Sequence, residues 1–210
     1  MKLLVVHVEP DTFEQVIEKV QKLNAKAGPF DHIFCVGNLS NDKYPHQIDT
    51  TGLPTIYLLG NDKVSNCGEN VISLSGSGIY ECLDSLRIGY LSGDSKQLTS
   101  TNKEITNLFN STEIPVDILI TQEWSSSISH LLGDFYGNNI LDEVATHSQP
   151  RYHISYGDDK HYYETGSFEW DGSNRVSRFV NIAGFDSKSK WAYAFNLSLE
   201  NDGSENTSSN

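Results

Sequence analysis

Four short apolar runs, each ending in polar residues, narrow the possible folds of this chain more than any other feature. They are residues 3–8, 32–38, 53–62 and 116–124. Runs of this length and composition are typical of strands buried on both faces, as in a sheet covered by helices. Between the first two runs, apolar residues at helical spacing predict a helix over residues 12–27, with Thr12 and Gln15 as a capping box. The pattern predicts an α/β (α+β) fold.

The rest of the chain adds shorter strands and further helices. Residues 69–95 alternate short apolar segments with Gly/Ser turns, which predicts an antiparallel meander. Helices are expected within residues 94–113 and over 138–147, and the last third is again strand-like. The final residues, 200–210, contain no apolar side chain. We therefore expect one domain over residues 1–199, followed by a disordered polar linker (200–210) toward C-terminal domains absent from this chain.

Charge and cysteine content argue against several classes of protein. The formal net charge is -13, which repels phosphate backbones and disfavours a stand-alone nucleic-acid-binding domain. Three cysteines without Cys-x-x-Cys spacing argue against a disulfide framework or a zinc knuckle, and they indicate a reducing compartment with Cys35 in the core. No run approaches the roughly 20 apolar residues of a membrane span, so no membrane contact is expected.

Polar side chains stand where the buried runs end. Ligands of open α/β sheets gather at the carboxyl ends of the strands, and His7, Asn38, Asn61 and Gln122 fall there. His7 and Glu9, two positions apart, could form half of a metal site, or a polar strand end that leads into the helix. Asn38 and Asn61 could serve their turns, because asparagine tolerates left-handed backbone and hydrogen-bonds to its own main chain.

This order of strand ends resembles that of the metallophosphoesterase (calcineurin-like) family, whose fold is a β-sandwich flanked by helices. Family enzymes bind two metals through Asp-x-His, Gly-Asp-x-x-Asp, Gly-Asn-His, a lone His and Gly-His-x-His. The matching segments here are His7-Val8-Glu9, Gly37-Asn38-Leu39-Ser40-Asn41, Gly60-Asn61-Asp62 and Gln122, with no Gly-His-x-His. The resemblance implies no metal, no cofactor and no catalytic residue. It implies degenerate active-site positions at His7, Glu9, Asn38, Asn61, Asp62 and Gln122.

A narrower resemblance covers residues 3–199. The segments FDHIFCVGN, LPTIYLLGND, VDILITQEW and KWAYAFNL run in the order of the N-terminal domain of the CwfJ family, and QPRYHISYGDDKHYYE is the most specific part. These proteins are spliceosome-associated homologues of the lariat debranching enzyme. The resemblance implies a catalytically inactive scaffold for pre-mRNA splicing and intron-lariat turnover, located in the nucleus, with the cytoplasm as a second location. Implied partners are the debranching enzyme and intron-lariat spliceosome proteins, with RNA bound mainly through the full-length protein.

Three residues outside the degenerate set are candidates for contact with a partner or a phosphate. Arg151 and His153 lie on one face of a predicted strand, with Tyr152 on the other. They could bind phosphate or an acidic partner, or form a satisfied pair beneath a loop. Trp124, just beyond a strand end, could anchor an interface or cap the core.

Two other functions remain open at this point. One is a phosphodiesterase or ribonuclease with unorthodox metal ligands, which requires His7, Glu9, Asp62 and Asp42 to converge. The other is a module that holds lariat RNA without cleaving it, through a local basic patch. That patch would consist of Arg151, Arg175, Arg178, Lys188 and Lys190.

Overall fold

Two β-sheets pack face to face, with helices on both outer faces, and the predicted α/β fold is confirmed. The structure is a computed structural model that describes residues 1–39, 49–65, 68–93, 102–111, 115–131, 133 and 137–199. The helices are α1 (Phe13–Ala27), α2 (Asn102–Asn110), α3 (Ser126–Leu131) and α4 (Asn139–Ser148). The strands are β1 (Lys2–His7), β2 (His32–Val36), β3 (Thr55–Gly60), β4 (Val71–Ser75), β5 (Ser77–Glu81), β6 (Arg87–Leu91), β7 (Ile118–Thr121), β8 (Tyr152–Ser155), β9 (Tyr163–Glu164), β10 (Phe168–Glu169), β11 (Val176–Asn181) and β12 (Ala192–Asn196).

Both sheets are mixed. The first has the order β12-β1-β2-β3-β4 and is parallel except for β12, which runs antiparallel to β1. The second has the order β10-β11-β8-β7-β6-β5, with β9 also paired to β11, and its central strands β11, β8, β7 and β6 are parallel. The rings of His7, at the end of β1, and Tyr156, just after β8, are 5.9 Å apart. The carboxyl ends of both parallel sets therefore meet at one edge of the sandwich, called here the carboxyl edge.

The core is divided among three layers. Val5 and Phe34 pack between the two sheets, while their neighbours Val6 and Cys35 pack beneath α1. Helices α2 and α4 cover the outer face of the second sheet. Because both faces of these strands are covered, every residue of β2 is buried, which is why the run carries no alternation. The predicted core position of Cys35 is confirmed, and burial raises the pKa of its thiol to about 12.

Helix α1 begins at Phe13, one residue later than predicted. A 3-10 turn, Pro10–Thr12, precedes α1, and the capping box is formed by Glu9 and Thr12, so the predicted Thr12–Gln15 box is wrong. The backbone N–H of Glu9 donates to Oγ1 of Thr12 at 3.3 Å. The physical reason is Pro10, which lacks a backbone N–H and has a fixed φ suited to the first position of a helix.

The predicted meander is only partly present. Strand β4 pairs with β3 in the first sheet, whereas β5 and β6 form an antiparallel hairpin in the second. The chain passes between the sheets at Gly76, whose φ is 73°. The helices predicted within residues 94–113 and over 138–147 are present as α2 and α4, and α3 was not predicted.

None of the helices in the described part of the chain is long and apolar enough to cross a membrane. Residues 200–210 lie outside the described residues, so the predicted disordered linker stays a prediction. Asp42, one of the four ligands in the phosphodiesterase hypothesis, also lies outside them.

Candidate functional site

The end of β1 places a buried histidine beside a partly exposed carboxylate. His7 is 2% exposed, and its Nε2 lies 3.2 Å from Oε1 of Glu9. Its Nδ1 is buried and has no hydrogen-bond partner among the described atoms, and the same holds for the hydroxyl of Tyr156. Burial, together with the charge of Glu9, raises the pKa of the Tyr156 phenol. One ring nitrogen of His7 is thus used by Glu9, which leaves a single nitrogen for any other ligand.

Gly37, directly after β2, and Gly60, the last residue of β3, are required because backbone segments come into close contact there. A Cβ atom at Gly37 would lie 1.8 Å from the carbonyl oxygen of Val8, and one at Gly60 would lie 2.8 Å from that of Leu39. In the resembling family, glycines at these positions let the backbone approach metals. Here they let the loops that follow neighbouring strands approach each other.

The polar side chains after β2 and β3 are exposed. They belong to Asn38, Asn61 and Asp62. Neither asparagine has a positive φ, so the left-handed backbone considered for them is wrong, because the adjacent glycines already allow the close approach. Among the described residues, a group of three His, Cys, Asp or Glu side chains with ligand atoms within 4.8 Å occurs elsewhere in the fold and not at this edge. The described positions of the phosphodiesterase hypothesis therefore do not form a three-ligand cluster.

Gln122, at the end of β7, holds neighbouring loops of the second sheet together. Its Oε1 accepts from the backbone N–H of Gly93 at 3.0 Å, and its carbonyl oxygen accepts from Oγ of Ser155 at 3.0 Å. A Cβ atom at Gly157 would lie 2.3 Å from that carbonyl oxygen. The side-chain amide thus holds the loop after β6, while the backbone carbonyl contacts the end of β8 and the loop that follows it.

Trp124 and His153 form one aromatic group on the outer face of the second sheet. The indole Nε1 of Trp124 donates to Oδ1 of Asn181 at 2.9 Å, and the rings of Trp124 and His153 both pack edge-on against Phe179. Nε2 of His153 lies 2.8 Å from Oγ1 of Thr121. Because that hydroxyl donates to the carbonyl of Glu123, the imidazole Nε2 is the donor to Thr121. Burial lowers the pKa of His153 to about 3, so this ring is neutral at physiological pH.

Arg151 lies apart from His153, beside a buried carboxylate. Nε of Arg151 and Nη2 of Arg175 are 3.7 Å and 3.9 Å from Oδ1 of Asp117. Arg175 also donates to the backbone carbonyls of Gln149 and Val116. Burial raises the pKa of Asp117 more than the backbone N–H of Arg87 and the neighbouring guanidinium groups lower it. Arg151 comes directly before β8, whereas His153 lies within it, and the two side chains have different partners.

Among the described residues, Arg178 and Lys190 of the hypothetical RNA patch also have partners, and Lys188 is exposed. Nη1 of Arg178 donates to Oε1 of Glu164 at 2.6 Å. Nζ of Lys190 lies 4.5 Å and 4.6 Å from the ring centroids of Tyr162 and Tyr193. The patch therefore consists mainly of cations that already contact carboxylates, carbonyls or aromatic rings.

Sequence reasoning missed two features with functional potential. One is a cavity of about 680 Å³ on the outer face of the second sheet, bordered by α3, α4 and the segment from β9 to β10. Its wall is largely apolar and includes Leu131, which is 73% exposed, and none of the six degenerate positions lines it. The other is the set His32, Cys82 and Asp84 at the opposite edge of the sandwich. No spacing rule could have found that set, because His32 and Asp84 are 52 positions apart.

Comparison with known proteins finds relatives along most of the chain. No protein-family model matches it. It is 36% identical over 203 residues to CWF19-like protein DRN1 of Saccharomyces cerevisiae, an alignment that covers 94% of this chain and 39% of that protein. It is 29% identical over 221 residues to the CWF19-like protein 1 homolog of Caenorhabditis elegans, covering 88% of this chain and 41% of the relative. The chain thus has CWF19-like homologues and spans about two fifths of their length.

Solved structures that are similar in fold include one crystal structure. It matches with a TM-score of 0.55 at 12% identity, over 88% of this chain and 91% of the other. At this identity the likeness concerns the fold and carries no function with it.

Proposed function

We propose that this chain is a catalytically inactive, metallophosphoesterase-like scaffold domain of a splicing factor that acts in the nucleus with the lariat debranching enzyme in intron-lariat turnover. The observation that carries the proposal is the ligand chemistry of the carboxyl edge. A two-metal centre needs a bridging carboxylate and several neutral imidazoles. The corresponding positions hold the amides of Asn38, Asn61 and Gln122. Amide oxygens are weak neutral donors, and a pair of divalent ions would bind to them poorly.

The role in splicing is supported by the CWF19-like homologues, and the preference for a protein partner is supported by charge. A net charge of -13, with most of the hypothetical basic patch already engaged, favours a basic protein surface over an RNA backbone. RNA contact would then come mainly from parts of the full-length protein outside this chain. The further partners would be proteins of the intron-lariat spliceosome.

Direct binding to the lariat debranching enzyme tests the proposal. Purified debranching enzyme would be titrated into the labelled chain. In parallel it would be titrated into a longer protein of the CWF19-like type. We expect saturable binding to this chain, weakened by salt because the chain is acidic. Binding that requires the longer protein and is undetectable with the chain alone would contradict the assignment of the scaffold role to this domain.

The matched control is a variant that changes only two side chains at the carboxyl edge. The variant His7→Gln with Glu9→Gln replaces the two side chains whose Nε2 and Oε1 atoms lie 3.2 Å apart at this edge. If the domain is a scaffold, this variant and the wild type should be equally inactive on branched RNA. A hydrolytic activity that the variant loses would instead support the phosphodiesterase hypothesis.

A further inference from the structure

The edge at which the parallel strands begin carries three different metal-ligating side chains. His32 is the first residue of β2, and it pairs with Leu3 at the beginning of β1, so it lies opposite the carboxyl edge. Cys82 and Asp84 lie in the turn between β5 and β6 of the second sheet. One ligand atom from each of the three residues lies within 4.8 Å of the other two. The set therefore joins the two sheets at a place separate from the positions considered above.

The burial of the three groups is that of a site with one solvent-facing side. His32 and Cys82 are 8% and 6% exposed, whereas the side chain of Asp84 is 43% exposed. Nε2 of His32 lies 2.7 Å from Oδ2 of Asp84, while its Nδ1 is buried with no partner among the described atoms. The unused nitrogen shows that the hydrogen bond to Asp84 does not satisfy this ring, although buried polar groups are normally satisfied.

The cysteine is held next to a hydroxyl that can stabilise its ionised form. Sγ of Cys82 lies 3.0 Å from the hydroxyl of Tyr57, on β3 of the first sheet. Burial raises the pKa of the Cys82 thiol, although the hydrogen bond with Tyr57 opposes this. A cation at the site would reverse the balance, since a coordinating thiol is deprotonated. The phenol could then donate to the bound thiolate, as outer hydrogen-bond partners commonly do at metal sites.

We propose that His32, Cys82 and Asp84 form a zinc site that ties the two sheets together. Imidazole nitrogen, thiolate sulfur and carboxylate oxygen are the ligand atoms that Zn²⁺ takes in proteins, and three protein ligands leave a fourth position for water. Binding releases the thiol proton of Cys82 to solvent and forms the zinc–sulfur bond. Asp84 must exchange its hydrogen bond with His32 for the metal, and its exposed place in the turn allows that shift. The site is independent of the proposed scaffold function.

Cobalt substitution tests this site with a spectroscopic readout. The chain would be stripped with a chelator and titrated with Co²⁺, which gives intense thiolate charge-transfer absorption only when sulfur is bound. We expect one equivalent of Co²⁺ to develop this absorption and Zn²⁺ to displace it. The variant Cys82→Ser should lose the absorption, and Asp84→Asn should weaken binding at least about tenfold. As a control, His7→Gln at the carboxyl edge should leave the titration unchanged.

The outcomes separate this proposal from the scaffold proposal. No thiolate absorption at saturating Co²⁺, or absorption retained in Cys82→Ser, overturns the zinc site. If Cys82→Ser proves unfolded by circular dichroism, Asp84→Asn decides, because Asp84 is exposed, and an unchanged affinity in that variant overturns the proposal. If two ions bind and their binding depends on His7, the scaffold proposal is contradicted. The zinc site is still judged by whether Cys82→Ser loses the thiolate absorption.

Discussion

Gln122 and Gly37 show at the scale of single residues how the carboxyl edge is used. The Gln122 amide accepts a hydrogen bond from the loop after β6, and Gly37 allows the loop after β2 to contact the backbone of Val8. In this chain their observed contacts are within the protein, so substitutions here should affect stability.

Gly37→Ala should destabilise the fold by about 1–3 kcal/mol, because the new methyl group must displace the Val8 carbonyl, 1.8 Å away. Gly166→Ala is the matched control, since nothing lies within 4 Å of its Cβ position, and its effect should stay within about 0.5 kcal/mol. Urea unfolding of the two variants measures the difference. Equal stabilities would show that the loops do not approach as closely as described.

His153 should make folding stability depend on pH. Free histidine has a pKa of about 6.5, while burial lowers the pKa of folded His153 to about 3. Between these values the unfolded chain binds a proton that the folded chain does not. Stability therefore falls as the pH drops below about 6.5, by up to about 1.4 kcal/mol per pH unit.

The variant His153→Gln isolates this contribution, because glutamine can also donate to Thr121 but does not titrate. Urea unfolding between pH 4.5 and 7 should give a steeper loss of stability for the wild type than for the variant. A uniform offset between them does not affect the comparison of slopes. Identical slopes would mean that His153 titrates normally in the folded protein.

At the scale of elements, a hydrogen-bonded group around Glu164 connects the second sheet to the first. Glu164 on β9 accepts from Arg178 on β11 and, at 3.1 Å, from the hydroxyl of Tyr193 on β12. Burial raises the pKa of Glu164, but the hydrogen bonds from Tyr162, Arg178 and Tyr193 outweigh burial and lower it. The stability this carboxylate contributes is thus present above its unfolded pKa and lost as the pH falls through the folded value.

Glu164→Gln should reduce the free energy of unfolding at pH 7 by about 1–3 kcal/mol, because a neutral amide cannot accept the same charge-assisted hydrogen bonds. Glu169→Gln, at an exposed position on the neighbouring β10, should change it by no more than about 0.5 kcal/mol. Thermal and urea unfolding would be compared with the wild type. Equal effects of the two substitutions would show that the group is not a connection between the sheets.

The elements differ in how far the sequence could predict them. Strands β1, β2 and β3 and helix α1 could be predicted from local apolar patterns. A strand buried on both faces is a continuous apolar run, and a helix has apolar residues at helical spacing. The sequence did not predict that β4 and β5 belong to different sheets. A glycine turn between two short strands has the same composition whether the strands form a hairpin or lie in separate sheets. The capping box was misplaced by one turn because Pro10 could begin a helix as well as precede one.

At the scale of the whole molecule, the candidate sites are formed by residues that are far apart in the sequence. The strand-end residues were predictable because parallel strands direct their carboxyl ends to one edge. The contacts of those residues were not, since Gln122 binds a loop and His7 contacts a tyrosine that comes 149 positions later. The set formed by His32, Cys82 and Asp84 depends wholly on how the two sheets are packed.

The charge of the whole molecule predicts weak binding to RNA. With a net charge of -13, the chain should bind single-stranded RNA only weakly at low salt, and any affinity should fall steeply as salt is raised. Fluorescence anisotropy with a labelled intron fragment measures this. Tight binding at physiological salt would support the RNA-holding hypothesis.

Whether the domain is an inactive scaffold can be measured by the hydrolysis of branched intron RNA. The purified chain would be incubated with the RNA and with Mn²⁺, Fe²⁺ or Zn²⁺, and cleavage of the branch would be followed beside active debranching enzyme. An inactive scaffold should give no cleavage above that of the metal ions alone. Metal-dependent cleavage that is lost in the His7→Gln and Asp62→Asn variants would contradict this expectation and establish an active site at the carboxyl edge.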